Sequence, residues 1–438
     1  MTNITEQLIN HIIDLKHLNS DVVERCKLLF LDLIGIPFRA EKEESSRALI
    51  RSIDIDRIKG DSIAIPYGFR TVPEYSALIM GTLSHSLDFD DTHRESSIHP
   101  GAVIIPSILS YSNDLDGKKF IEAMVCGYDI ACKLGMALNP EKHYARGFHG
   151  TATCGVFGGV AAISRIFDLD FDRIKSAFGV ALSMVSGSMQ FLENGAWNKR
   201  LHAGLASRNA VMAIELAKSG FIGAEKPIEG KYGFLNSYSE NADPEKAVDG
   251  LGERFEVMHT GVKLYPCCRY IHPALDIALN LEIDPESVDR IAVRMVTAGY
   301  RIVGEPIGRK RDPRNAVDAQ FSLPYALATA LVRKRFTVDD LSRESIMDSR
   351  VREVMKKIDV QADGELDVEY PEKWAVVLEI DGEEYRKDYP RGDPEDPADF
   401  SEVENKVRTL MNGRAEEIIG FVKKLEKRNM GELFEILF

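Results

Sequence analysis

The first part of the chain is patterned for helices. Leu8, Ile12, Ile13 and Leu15 recur with helical spacing, and a second helix is expected over roughly Val22 to Ile34. Tyr75 to Phe89 is rich in Ala, Leu, Met and Gly, and reads as a buried helix ending near the acidic turn Asp88–Asp91. Ala102 to Tyr111 and Phe120 to Leu138 read as two more, with Pro140 as a stop signal just past the second. Thr151 to Ile166 carries Gly155, Gly158, Gly159, Ala161 and Ala162. Such small side chains let helices approach closely, which predicts a central position for this one. Trp197 to Ser219 reads as another long helix.

The texture changes near residue 259. VMHTGVKLYP, VDRIAVRMVT, WAVVLEIDG and EEYRKDYP are short runs, β-branched, alternating or apolar, and are expected as strands. Between them Pro273–Leu281 and Ala319–Val332 read as helices, so residues 259–393 are expected to form an α+β unit. PRGDPEDPAD (390–399) reads as a linker. Glu402–Met411 and Ala415–Lys427 are again amphipathic. If they rejoin the first helical region, the α+β unit is an insertion.

Composition narrows the function classes. At 438 residues the chain is long enough for two or three domains, and 44% apolar residues can fill a sizeable core. The net charge of -14, without a dense Lys/Arg run, argues against a nucleic-acid partner. An anionic substrate would require positive charge focused in one cleft. No stretch approaches the ~20 apolar residues of a membrane span, and the N-terminal segment has no basic region followed by an apolar block. The six cysteines are scattered apart from the adjacent Cys267 and Cys268. Reduced thiols and a cytoplasmic location are therefore expected.

The common cofactor and nucleophile motifs are missing. There is no Walker A pattern, no GxGxxG after a strand, no HExxH, CxxC or GxSxG. The pairs His93/His99 and His143/His149 lack the i, i+4 spacing of two metal ligands on one helix face. These motifs therefore give no support to a metal or a phosphate-bearing cofactor.

Five polar segments inside apolar surroundings carry the candidate chemistry. In HSLDFDDTHRESSIHPGAV (85–103), Asp88, Asp91 and Thr92 fall at helical i, i+3, i+4 spacing, followed by His93 and His99. The bland alternative is a helix end with a solvated acidic loop. In ARGFHGTATCGVFGG (145–159), His149 precedes a Gly/Ala-rich helix that Thr151 or Thr153 would cap. A helix N-terminus attracts a carboxylate; the alternative is a His in an ordinary turn. In NGAWNKRLHAGLASRNA (194–210), Lys199 and His202 share a face, Arg200 adjoins, and Asn198 is the expected cap. Positive charge at a helix start opposes the helix dipole, which favours function over a solvated face. In VKLYPCCRYIHPALD (262–276), Lys263, Arg269 and His272 surround the paired cysteines, or simply connect a strand to a helix. In VDAQFSLPYALATALV (317–332), Tyr325 taken alone is a core tyrosine more often than a catalyst.

Together and in this order, HSLDFDDTH, GFHGTATCGVFG, WNKRLHAGLASR, KLYPCCRYIHP and DAQFSLPYALA resemble the MmgE/PrpD family over most of the chain. That family includes 2-methylcitrate dehydratase, cis-aconitate decarboxylase and iminodisuccinate epimerase. The resemblance implies a mainly α protein with a large all-helical domain formed by both chain ends (1–258 and 394–438) and an inserted smaller α+β domain (259–393). It also implies a homodimer, and a cofactor-free active site in the cleft between the domains. Carried over by motif, the catalytic candidates are Asp88, His99, His149, Lys199, Lys263 and Tyr325. Thr92, Arg200, His202 and Arg269 are the substrate-binding candidates. The RESSI loop (94–98), and Gly150 and Ala203 where many members have Pro, depart from common family patterns and leave the substrate open.

The chemistry implied is removal of a proton α to a carboxylate of a small polycarboxylate. Lysines would stabilise the developing charge, and a neutral histidine would act as base. Dehydration of a 2-methylcitrate-like hydroxy acid is the expected outcome. Epimerisation of an iminodisuccinate-like acid and decarboxylation of a cis-aconitate-like acid are the alternatives. A non-catalytic carboxylate-binding protein and a metal-dependent hydrolase lie further off.

Overall fold

The computed structural model describes residues 3–411 and 413–438. The chain divides into two compact units, Met1–Ser86, Asp90–Val262 and Phe400–Phe438 in one, Leu87–Phe89 and Lys263–Asp399 in the other.

The first unit is built of helices around Gly150–Ile166, in which every residue from Gly150 to Ser164 is buried. A helix apolar on all sides belongs in a core. Gly117–Ala137, Asn198–Lys218 and Gly101–Leu109 pack on it, and Pro73–Ser84 packs on Asn198–Lys218. Several helices start at polar caps: Asp116 accepts from the Lys118 and Lys119 amides, Asp170 from Arg173, and Asn19 from Val22. Each satisfies amides that have no partner within the helix. Of the caps expected at the other helices, Asn198 lies inside its helix behind Trp197, and neither Thr151 nor Thr153 caps Gly150–Ile166. Thr153 instead bonds His143 Nε2 at 2.8 Å.

Two backbone-to-backbone contacts set the spacing. A Cβ on Gly81 would lie 2.8 Å from the Gly204 Cα, and one on Gly204 would collide with the Leu78 carbonyl and the Thr82 hydroxyl. A Cβ on Gly158 would lie 2.7 Å from the Gly127 carbonyl oxygen. Only glycine permits either approach.

A buried polar knot ties the loop after residue 91 to the end of this unit. Thr92–His93 pairs antiparallel with Thr260–Gly261. The Glu256 carboxylate accepts from His93 Nε2 and Lys133 Nζ, both at 3.0 Å. Burial alone would raise the Glu256 carboxyl, but His93 and Lys133 outweigh it and hold the group down at about 2.

The second unit carries a four-stranded sheet in the order Ile358–Ala362, Ile291–Met295, Val376–Ile380, Glu383–Lys387. The first pair is parallel and the other two are antiparallel. Ile291, Val293 and Met295 alternate into the core, while the charged Glu383–Lys387 forms an edge. His272–Asn280 and Leu323–Arg333 pack against strands of this sheet.

Three expectations need correcting here. The helix expected over Ala319–Val332 breaks into Ala316–Gln320 and Leu323–Arg333. Pro324 has no amide to donate, and the Ser322 hydroxyl caps the new start by accepting from the Tyr325 amide at 3.1 Å. Residues 390–399 are no slack linker. Asp393 is buried in an ion pair with Arg269, and the Arg391 amide donates to Asp276 at 2.6 Å. Of VMHTGVKLYP only Thr260–Gly261 is strand, whereas Ile358–Ala362, not foreseen as a strand, pairs with Ile291–Met295.

The glycine contacts predict a specific sensitivity. Gly204→Ala should lower unfolding free energy by about 2–3 kcal/mol through overpacking. Gly308→Ala, where an added Cβ meets nothing within 4 Å, should change it by no more than about 1 kcal/mol. Urea denaturation of the two variants checks the difference.

Candidate active site

In the first unit three helix ends deliver histidines to one place. His85 caps the C-terminus of Pro73–Ser84, His149 precedes Gly150–Ile166, and His202 lies just inside the start of Asn198–Lys218. The Gly81–Gly204 contact is what lets the first and third of these helices come so close. The ring centroids of His85 and His149 are 5.8 Å apart, those of His149 and His202 5.2 Å. His99 joins from the following loop, 5.0 Å from His85.

Hydrogen bonds fix much of the tautomer pattern. Asp90 Oδ2 lies 2.6 Å from His85 Nδ1, and a carboxylate can only accept, so that nitrogen carries the proton. His99 Nδ1 lies 2.7 Å from the Asp91 carbonyl and 3.3 Å from the Thr92 hydroxyl, so it too carries a proton. The His99 amide donates to Thr151 Oγ1 at 3.1 Å, which holds the loop against the central helix. His149 and His202 meet Nδ1 to Nδ1 at 3.1 Å, so one of these nitrogens donates and the other accepts.

This crowding resists positive charge. Burial pushes His149 well below the ordinary histidine value, with further repulsion from His202, His85, Lys199 and His99. Burial, then His85 and Lys199, take His202 down to about 4. The positive end of the Gly150–Ile166 helix dipole acts on His149 in the same direction. Nearby, burial pushes the Asp91 carboxyl up to about 7, although Tyr128 and the Gly101 amide donate to it at 2.6 and 3.0 Å.

Of the residues expected from sequence, Thr92, His99, His149, Lys199 and His202 thus meet in the first unit. Lys199 is half-buried and close enough to act electrostatically on both His149 and His202. Arg200 adjoins in sequence but bonds elsewhere, to Glu43 at 3.1 Å and the Ser45 hydroxyl at 2.7 Å.

Asp88, Lys263, Arg269 and Tyr325 belong to the second unit. The fully buried Lys263 donates to the Asp88 carbonyl and carboxylate, each at 3.0 Å. Arg269 bonds Asp393 and His272. Tyr325 is wholly buried and its hydroxyl donates to the Asp340 carbonyl, the arrangement of a satisfied core tyrosine. The shared helical face expected for Asp88, Asp91 and Thr92 does not exist. The helix stops at Ser84, Asp88 has a left-handed φ of 52°, and Thr92 is already in a strand.

Sequence reasoning passed over His85 and Asp90. His85 stood in the HSLDFDDTH motif, but no periodicity relates it to Asp90, because the bond between them closes a turn. His85, Asp90 and His99 bring donor atoms within 4.8 Å of one another, the spacing a metal ion would need. Both Nδ1 atoms are already hydrogen-bonded, to Asp90 and to the Asp91 carbonyl. These bonds leave Nε2 as the remaining nitrogen of each ring.

Comparison with known proteins agrees with this motif set. The MmgE/PrpD N-terminal domain model matches residues 7–247, and the MmgE/PrpD C-terminal domain model matches residues 265–427. A cis-aconitate decarboxylase-like protein of Aspergillus oryzae is 25% identical, covering 81% of this chain and 79% of its own. The cis-aconitate decarboxylase of Aspergillus terreus is 26% identical, covering 74% and 70%. The mitochondrial 2-methylcitrate dehydratase of Yarrowia lipolytica is 23% identical, covering 84% and 74%.

The depressed histidines predict a pH effect on stability. An unfolded histidine takes its proton near pH ~6.5, whereas folded His202 takes one only near 4. The unfolded state therefore binds more protons in that window, and this contribution to stability falls as pH falls through it. His202→Asn should lose less Tm than the parent between pH 6.5 and 4, as read by thermal melts across that range.

Proposed function

The chain belongs to the MmgE/PrpD family, and from that premise we propose that it is an enzyme that moves a proton next to a carboxylate of a small polycarboxylate, most simply to eliminate water from a 2-methylcitrate-like hydroxy acid. The observation that carries this is the His149–His202 pair, joined at 3.1 Å and held uncharged at neutral pH. An uncharged imidazole accepts a proton. Removal of an α-proton needs such an acceptor, placed where water is excluded.

The electrostatics suit the substrate class. The proton leaves charge on the carboxylate it adjoins, and that charge needs a fixed positive partner. Lys199 supplies it beside both histidines. In a protein of net charge -14, this local concentration of cationic and neutral nitrogen is what would draw a polyanion. Thr92 and His99 are proposed to bind its oxygens, His99 through Nε2, since its Nδ1 faces the Asp91 carbonyl. In the second unit Lys263 and Arg269 remain candidate carboxylate partners, each already balanced by an aspartate. Tyr325, committed to a backbone carbonyl, has no role in this reading.

Decarboxylation of a cis-aconitate-like acid is the second reading, favoured by the decarboxylases among the relatives. It needs a proton delivered to carbon, and the product formed from cis-aconitate distinguishes it from elimination.

The test is incubation in D2O with 2-methylcitrate, citrate, cis-aconitate and iminodisuccinate, followed by proton NMR. An alkene signal from a hydroxy acid is expected, and His149→Ala should reduce it by at least ~100-fold with the fold intact. Itaconate-type product from cis-aconitate alone would replace elimination with decarboxylation. Full turnover by His149→Ala would remove this histidine from the chemistry. Treatment with a chelator should leave the rate unchanged; loss restored by a divalent metal would overturn the cofactor-free reading.

A further inference from the structure

We propose that the Asp90–His85 pair is the proton donor of this site, the counterpart of the His149–His202 acceptor; this rests on the proton-transfer reading above. Asp90 Oδ2 is 2.6 Å from His85 Nδ1, and both side chains are completely buried. With Nδ1–H committed to the carboxylate, Nε2 is the one atom of the ring that can gain or lose a proton. Among the described residues that Nε2 is buried and has no hydrogen-bond partner. A buried polar atom left unpaired in a native fold calls for a reason, and a bound reactant is the one that fits a ring placed among reactive neighbours. His85 stacks on His149 with the ring planes 21° apart, and His99 flanks it on another side.

The two pairs differ in a way that assigns their work. The charged and titratable neighbours that act on His149 are His202, His85, Lys199 and His99, none of them an anion. His85 has a carboxylate in direct contact. A carboxylate behind an imidazole orients it and balances the positive ring, the arrangement by which aspartate supports histidine in hydrolytic triads. Two imidazole systems with opposite surroundings are what an acid and a base at one centre require.

In the elimination, the C–H bond next to the carboxylate breaks. Its electron pair becomes the new C=C bond, and its proton goes to His149. The neighbouring C–O bond breaks with its pair on oxygen. That oxygen takes the proton from His85 Nε2 and leaves as water. His85 ends neutral with Nδ1–H still on Asp90, His149 ends protonated, and exchange with bulk water resets both.

His85→Asn separates this role from a structural one. The asparagine amide nitrogen can replace Nδ1 as donor to Asp90, but nothing replaces Nε2. With 2-methylcitrate in D2O, proton NMR reads deuterium entry beside the carboxylate and alkene formation in one sample. The variant should keep the parent's Tm and a KM within about 3-fold, keep deuterium entry, and lose alkene formation by about 100-fold. His149→Ala should lose both signals. Alkene formation at the parent's rate in His85→Asn overturns the proposal, and so does parallel loss of exchange and elimination. If His85→Asn does not fold, Asp90→Asn, which keeps an accepting oxygen without the charge, is read by the same criteria. A parent that neither exchanges nor eliminates removes the underlying reading, and the donor with it.

Discussion

The contact between Gly81 and Gly204 is the constraint on which the site depends. Two helices can bring their axes this close only where neither carries a Cβ, and here even the Thr82 hydroxyl and Leu78 carbonyl occupy the space an alanine would need. That approach carries His85, one residue past the end of its helix, towards His202, near the start of the other. The Gly127–Gly158 contact seats the central helix, whose first residue follows His149, against Gly117–Ala137. The glycine-rich texture of this region is therefore a geometric requirement of the histidine cluster as well as a feature of the core. Close-packed interiors relax little, so a methyl group added at such a crossing is felt at the helix ends that hold the rings.

Bringing imidazoles together inside a fold has an electrostatic consequence. Burial and the neighbouring rings penalise a proton on His149 and on His202, so these two are driven towards neutrality. Lys199 adds to the repulsion, as does the start of the central helix. Asp90 Oδ2 lies 2.6 Å from His85 Nδ1 and 3.7 Å from His99 Nδ1, and contacts His85 more tightly. The site is thereby asymmetric before any substrate arrives. The proposed chemistry follows from which imidazole has the closer carboxylate rather than from the number of imidazoles.

Within each unit the buried polar groups are organised in sets. Glu256 gathers His93 and Lys133, and Asp91 gathers Tyr128 and the Gly101 amide. In the second unit Lys263 holds Asp88, and Arg269 holds Asp393. A buried charge deprived of its partner is strongly destabilising, so these sets fix the chain segments that carry the candidate residues. Asp393 shows the effect: a stretch rich in Pro and Asp, with every mark of a loose connection, is anchored by its ion pair with Arg269 together with the Arg391–Asp276 bond.

Much was legible in the sequence because it rests on local chemistry. Apolar periodicity located the central helix and its neighbours, and ordered motifs pointed to the family and to His99, His149, Lys199 and His202. Helix boundaries, the break before Leu323 and the strand at Ile358–Ala362 were not legible, since caps and strand partners decide them. The Asp88, Asp91 and Thr92 face failed because a helical spacing was extended past the end of its helix, where one left-handed residue redirects the chain. For Tyr325 only packing reveals that its hydroxyl donates to the Asp340 carbonyl. The sequence by itself determined which titratable residue types were present for the proposed chemistry. The tertiary structure alone decided which histidine received the aspartate. That pairing is made by a turn past the end of a helix, and no periodicity along the chain encodes it.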